Sequence, residues 1–193
     1  MSNGEPLPPD ELLESAADRL ESDDLTLAEN EAILRSISEL TPVFEHDRSY
    51  FVLGSYDRGP IRRLALVTDR LNRRTDAYAF RMVDVRGEWS NGIQKFCLIA
   101  DLVSFVVGVA EREPSDFLVE QGLLVGTEEY FAKSHVLKRE YDEDEDKDDD
   151  DDEGDGGDFG WMQEGVFGLL EREGRLYRWN TEDDLVGAVA ELP

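Results

Sequence analysis

Glu120 stands inside an apolar run, FLVEQGLLVG at positions 117–126, where a single carboxylate is chemically conspicuous. A carboxylate with apolar neighbours can attack an electron-poor carbon or exchange a proton, and its pKa follows how much water reaches it. Asp116 lies four positions upstream, about one helical turn, and Asp101 precedes the apolar run SFVVGV at 104–109. Glu120, Asp116 and Asp101 are thus candidate site acids around one strand, with Glu120 just past its carboxyl end, where open α/β sheets bind ligands. The plainer readings are a solvated face for Glu120 and a helix-end ion pair for Asp101.

A second group carries binding rather than bond-breaking chemistry. Gly54, Ser55 and Tyr56 close the apolar run YFVLG, where a small residue lets a ligand approach the backbone and two hydroxyls offer directional hydrogen bonds. Arg58, Arg62 and Arg63 follow at the start of a helical pattern, placed to hold an anion or to serve as surface counter-ions. Neither GxGxxG nor GxxxxGKS follows the strand, so the dinucleotide and P-loop fingerprints are missing. Cys97 is flanked by Phe96, Leu98 and Ile99 and reads as a packed thiol, and His135 within SHVLK reads as a packed or edge residue. No spacing of His, Cys, Asp and Glu suggests a structural zinc site, and no cofactor is expected.

These residues need a scaffold that brings them to one place. SFVVGV is apolar on both faces, the pattern of a parallel strand covered by helices on both sides. Strands are expected at 50–54, 77–85, 104–109, 135–138 and 175–179, alternating with helices at 61–74, 91–101, 117–131, 161–173 and 182–192. Pro60 opens the first of these helices and Thr181 caps the last. Alternation at this spacing implies right-handed crossovers in a parallel α/β sheet. The expectation is a three-layer sandwich of five strands in the flavodoxin-like order 2-1-3-4-5, occupying residues 47–193. Residues 1–46 form an appendage of two amphipathic helices, the second stopped by Thr41 and Pro42, packed on the main domain or offered to a protein partner. Trp161, Trp179, Tyr177 and Phe167 read as core anchors or an edge cover.

The surroundings are strongly acidic: 46 Asp and Glu face 20 Lys and Arg, for a net charge of −26. Such a surface repels itself in dilute salt and is relieved in molar salt, where the Debye length falls to roughly 3 Å. A halophilic origin is the simplest reading. A basic groove for nucleic acid is not expected. Residues 142–158 hold thirteen acids, one lysine and three glycines with no apolar side chain, and read as a solvated, disordered loop rather than a calcium loop. No apolar run is long enough to span a bilayer, which places the chain in the cytoplasm.

The first strand ending in GSY, Asp101 ahead of SFVVGV, a short polar loop, and glutamate in FLVEQGLLVG together resemble the nucleoside 2-deoxyribosyltransferase-like superfamily, a Rossmann-like, TIR-related group. The resemblance covers roughly residues 50–140. It implies that Glu120 attacks the anomeric carbon of a nucleoside or nucleotide, with Gly54, Ser55, Tyr56, Asp101 and Asp116 lining the pocket. The acid that the family carries six positions upstream is Pro114 here, and the resemblance offers Asp116 in its place. The whole chain also resembles a domain family of halophilic archaea, a likeness that brings no function. The alternative is a ligand-sensing or protein-interaction module that binds without turnover.

Overall fold

The computed structural model describes residues 40–86, 92–112, 117–141 and 159–193, with backbone alone for residues 117–120. The N-terminal helices expected before residue 40, Asp116, and the acidic run 142–158 lie outside the described residues. Five parallel strands form one sheet in the order β2-β1-β3-β4-β5. They are β1 (Arg48–Gly54), β2 (Ala77–Arg81), β3 (Phe105–Ala110), β4 (Ser134–Arg139) and β5 (Leu176–Trp179). The helices are α1 (Thr41–Glu45), α2 (Pro60–Leu71), α3 (Gly92–Leu102), α4 (Phe117–Gly126), α5 (Glu128–Ala132), α6 (Trp161–Arg172) and α7 (Glu182–Glu191). The α/β class and the strand order match the expectation.

Alternation along each strand divides the core in two. Phe51, Leu53, Val106 and Val136 pack on one face against Phe96 and Ile99 of α3 and Phe167 and Leu170 of α6. Tyr50, Val52, Val107 and Leu137 pack on the other against Leu64 and Val67 of α2 and Leu185 and Val189 of α7. Burial on both faces explains why β1 and β3 read as continuous apolar runs. At Gly54 β1 ends against its neighbours: an added Cβ would sit 2.7 Å from Leu64 Cδ2 and 2.9 Å from the Val109 carbonyl oxygen, at φ 157°. Only glycine lets β1 and α2 approach this closely.

Three expectations change. The second strand stops at Arg81, because the Asp84 carboxylate accepts the Arg81 backbone N–H at 2.9 Å and turns Met82–Asp84 into a 3₁₀ helix. The helix expected over 117–131 is two, since Thr127 is extended (φ −123°, ψ 115°) between α4 and α5. Thr41–Glu45 forms a short helix with Pro42 in its first turn, and Val43 of that helix is buried in the core. Trp161, read as an anchor, is 85% exposed, whereas Trp179 and Phe167 are buried as expected.

Candidate functional site

At the carboxyl ends of β1 and β3 the following connections diverge, α2 onto one face and α4 toward the other, the place where open α/β sheets leave a crevice. Ser55 is buried there and its hydroxyl donates to Asp57 at 2.9 Å, a local turn bond that also receives the Asp57 N–H at 3.3 Å. Tyr56 is half-buried beside it, while Arg58 and Arg62 are exposed. Of the three arginines Arg63 is the one that turns inward. Its Nε donates to Glu111 Oε1 at 2.9 Å and its Nη2 to Oε2, a bidentate pair. The Glu111 side chain is only 5% exposed.

Glu111 follows the β3 alternation Val107, Val109 onto the α2 face, which is how α2 meets it. Arg139 at the end of β4 approaches the same carboxylate at 3.8 Å. Both guanidiniums lie near Trp179, at 6.0 Å and 5.5 Å from the ring centroid, and Tyr141 packs against Arg139 and Arg112 at 4.5 Å and 4.1 Å. The carboxylate holds the Arg63 guanidinium more firmly protonated than an isolated one, against the opposing effect of burial. A glutamate so engaged is an ionic anchor between β3 and α2.

The other face carries the group with chemistry left over. The Gly160 backbone N–H donates to Gln163 Oε1 at 3.2 Å. A backbone N–H can only donate, so the amide of Gln163 is fixed, and its Nε2 donates to Gln121 Oε1 at 3.4 Å. The chain of amides therefore ends on Gln121 Nε2, which is buried and has no acceptor. Gln121 itself is 4% exposed. Two N–H donors thus wait beside the first turn of α6. Nearby, Lys138 at the end of β4 is buried over Phe159 and Phe167 and bonds Glu164 at 2.8 Å. Back on the α2 face, Trp179 Nε1 is a second buried donor without an acceptor.

Asp101 does not join this group. It lies at the end of α3, before β3 begins, so the length of that strand, roughly 20 Å at 3.3 Å per residue, separates it from the crevice. There it accepts the Tyr130 hydroxyl at 3.0 Å, and burial together with the Asp101 charge pushes the phenol up. Asp101 is a partner of Tyr130 in the helix-end packing. Glu120 lies in the first half of α4, directly before Gln121. His135 is buried against Phe105 and Tyr177, its Nδ1 3.2 Å from the Tyr177 hydroxyl. Burial, with the Arg175 charge second, holds its pKa down to about 4. Cys97 is a half-buried free thiol packed on the core. Among the described residues no group of three or more His, Cys, Asp and Glu side chains is placed to hold a metal ion, and no helix is long and apolar enough to cross a membrane.

Glu111, Gln121 and Gln163 were not singled out by sequence reasoning. A signal existed for Glu111, whose parity continues the buried face of β3, but the two glutamines are neutral and carry no motif. Residues 1–155 match the family described as Family of unknown function (DUF8170). The chain belongs to that family. The DUF8170 match includes Glu111, Glu120, Gln121, Lys138 and Arg139, while Gln163 and Trp179 come from the α6, β5 and α7 segment beyond it. No curated protein matches the sequence.

Proposed function

We propose that this DUF8170 chain binds a small ligand of nucleoside or nucleotide type at the carboxyl end of its sheet. The observation that carries the reading is the Gln121 amide, two buried donors without an acceptor at the end of an α/β sheet where such folds hold ligands. A carbonyl or ring nitrogen of a planar base is the kind of acceptor that a glutamine amide recognises. Ser55, Tyr56 and the close approach at Gly54 supply polar groups and access at the neighbouring strand, and the exposed Arg58 and Arg62 would face a charged end of the ligand. The strongly acidic composition, net −26, is read as adaptation to molar salt in the cytoplasm, so binding belongs in molar potassium chloride.

The catalytic form of the reading assigns Glu120 as nucleophile. Its carboxylate would attack the anomeric carbon, the C–N bond electrons would leave on the base, which takes a proton, and water would then release the sugar. Asp101 has no part in that step, since its place at the amino end of β3 removes it from the crevice. The non-catalytic form keeps the pocket without turnover. Incubation of the full chain with nucleosides, nucleotides and nicotinamide dinucleotide, following both binding and base release, decides between them. Binding with base release that is lost in Glu120→Gln supports the catalytic form, and binding without release supports the sensor. Absence of binding across the panel overturns both.

A further inference from the structure

The two edges of the sheet are finished differently. In parallel pairing, alternate residues of an edge strand direct their peptide groups outward. Arg48 N–H bonds the Asp76 carbonyl, so on β2 the outward residues are Ala77, Ala79 and Arg81. Asn72 clamps Ala79 from both sides, its Nδ2 donating to the Ala79 carbonyl at 2.8 Å and its Oδ1 accepting the Ala79 N–H at 2.7 Å. Asp84 accepts the Arg81 N–H. One side-chain amide therefore stands in for a missing strand, and a carboxylate completes the cover.

On β5 the carbonyls of Arg175 and Trp179 face β4, accepting from Val136 and Glu140, which directs the peptide groups of Leu176 and Arg178 outward. Among the described residues no side chain caps them as Asn72 and Asp84 cap β2. An open groove of about 560 Å³ runs along this edge, between β5, Glu171 of α6, and Asp183, Asp184, Gly187 and Glu191 of α7. Gly187 keeps the α7 wall low, since a Cβ there would meet no atom within 4 Å. Four carboxylates thus border the groove, and its one cation, Arg178, is already bonded to Glu140 and Glu171.

We propose that the outer edge of β5 is a docking surface for an extended, basic peptide segment of a partner protein, which adds a sixth strand to the sheet. Main-chain bonds to Leu176 and Arg178 would supply affinity, and lysines or arginines would meet the carboxylate rim. The same charge argues against a second copy of the chain, because edge-to-edge pairing would bring two acidic rims together. The surface is independent of the ligand site at the carboxyl end and lies wholly in residues beyond the DUF8170 match.

The test uses the full ¹⁵N-labelled chain in the lowest salt at which it stays folded. The probe is a seven-residue acetylated peptide alternating Lys with Thr and Val, beside a twin N-methylated at alternate residues and a twin with Glu for Lys. Expected are at least tenfold slower hydrogen exchange at the Leu176 and Arg178 amides with the Lys peptide alone, and at least tenfold weaker binding to Gly187→Phe, which fills the groove while the added Cβ meets no atom. Equal binding of the N-methylated twin would show general electrostatic attraction and overturn the proposal. So would failure of the Lys peptide to protect the two amides, equal protection by the Glu twin, or protection that rises with protein concentration in the absence of peptide.

Discussion

The two ends of the parallel sheet hold opposite inventories of hydrogen-bond partners. At the amino end, cations close the helix carboxyl termini: Arg74 donates to the carbonyls of Val189, Leu192 and Pro193, Lys133 to those of Ala100 and Val103, and Arg175 to that of Phe131. Tyr130 bonds Asp101, and Ser49 bonds Ser104 across β1 and β3. These contacts complement the negative ends of the helix dipoles and answer orphan carbonyls. The Arg70 Nε is the buried side-chain donor left over there among the described residues. At the carboxyl end the ionic anchor of Glu111 lies on the α2 face with Trp179 Nε1, and Gln121 Nε2 lies on the α6 face; among the described residues neither of these two buried donors has an acceptor. The difference teaches where the molecule spends interactions on stability and where it holds them for something else.

Glu111→Leu should give the largest effect. Removing a carboxylate that is 5% exposed strands Arg63, and loss of about 3–5 kcal/mol in denaturant titration is expected. Arg63→Met combined with Glu111→Leu should restore most of it. If the single variant is as stable as wild type, the carboxyl end has no ionic anchor and the contrast between the ends fails. Arg74→Met removes several bonds to carbonyls at the other end and should cost about 2 kcal/mol while leaving ligand affinity unchanged. A change in affinity would show that the ends are coupled.

His135 supplies a pH test of the same amino-end packing. Its pKa is held down to about 4, below the ordinary 6.5, so the unfolded chain takes up a proton first as pH falls. Stability is therefore unaffected above about pH 6.5 and declines below it, by at most about 2 kcal/mol between pH 6.5 and 5. His135→Gln should flatten this window, read as the pH dependence of the unfolding midpoint. An unchanged slope would mean that the imidazole is solvated in the native state.

The layout was legible because periodicity survives burial. The continuous apolar runs of β1 and β3, Pro60 opening α2 and the Thr181 cap, whose Oγ accepts the Asp184 N–H at 3.2 Å, all act through local chemistry that a sequence displays. Two breaks were not legible, since each turns on a single local bond or backbone angle, at Asp84 and at Thr127. For the site, an expectation built from acids named Asp101, and the topology puts it at the wrong end of its strand. Gln121 and Gln163 escaped because their meaning arises only when α4 and α6, some forty residues apart in sequence, lie side by side. Trp161 misled for a related reason, as an aromatic residue in a helical pattern does not show which face the sheet will cover.

The smallest stability effect tests the central claim. Gln121→Met removes two unaccepted donors at nearly constant volume, but also the acceptor of the 3.4 Å bond from Gln163, so the stability of the ligand-free chain should change by no more than about 1 kcal/mol while binding of a nucleoside weakens. The most direct measurement is the side-chain amide spectrum of the ¹⁵N-labelled chain in molar potassium chloride, titrated with adenosine and with uridine. The Gln121 NH₂ pair is expected to shift with saturation and to become protected from exchange, and Gln121→Met is expected to bind at least tenfold more weakly. Nucleoside binding that leaves the Gln121 resonances unmoved and Gln121→Met unaffected would contradict the claim that this amide is held for a ligand.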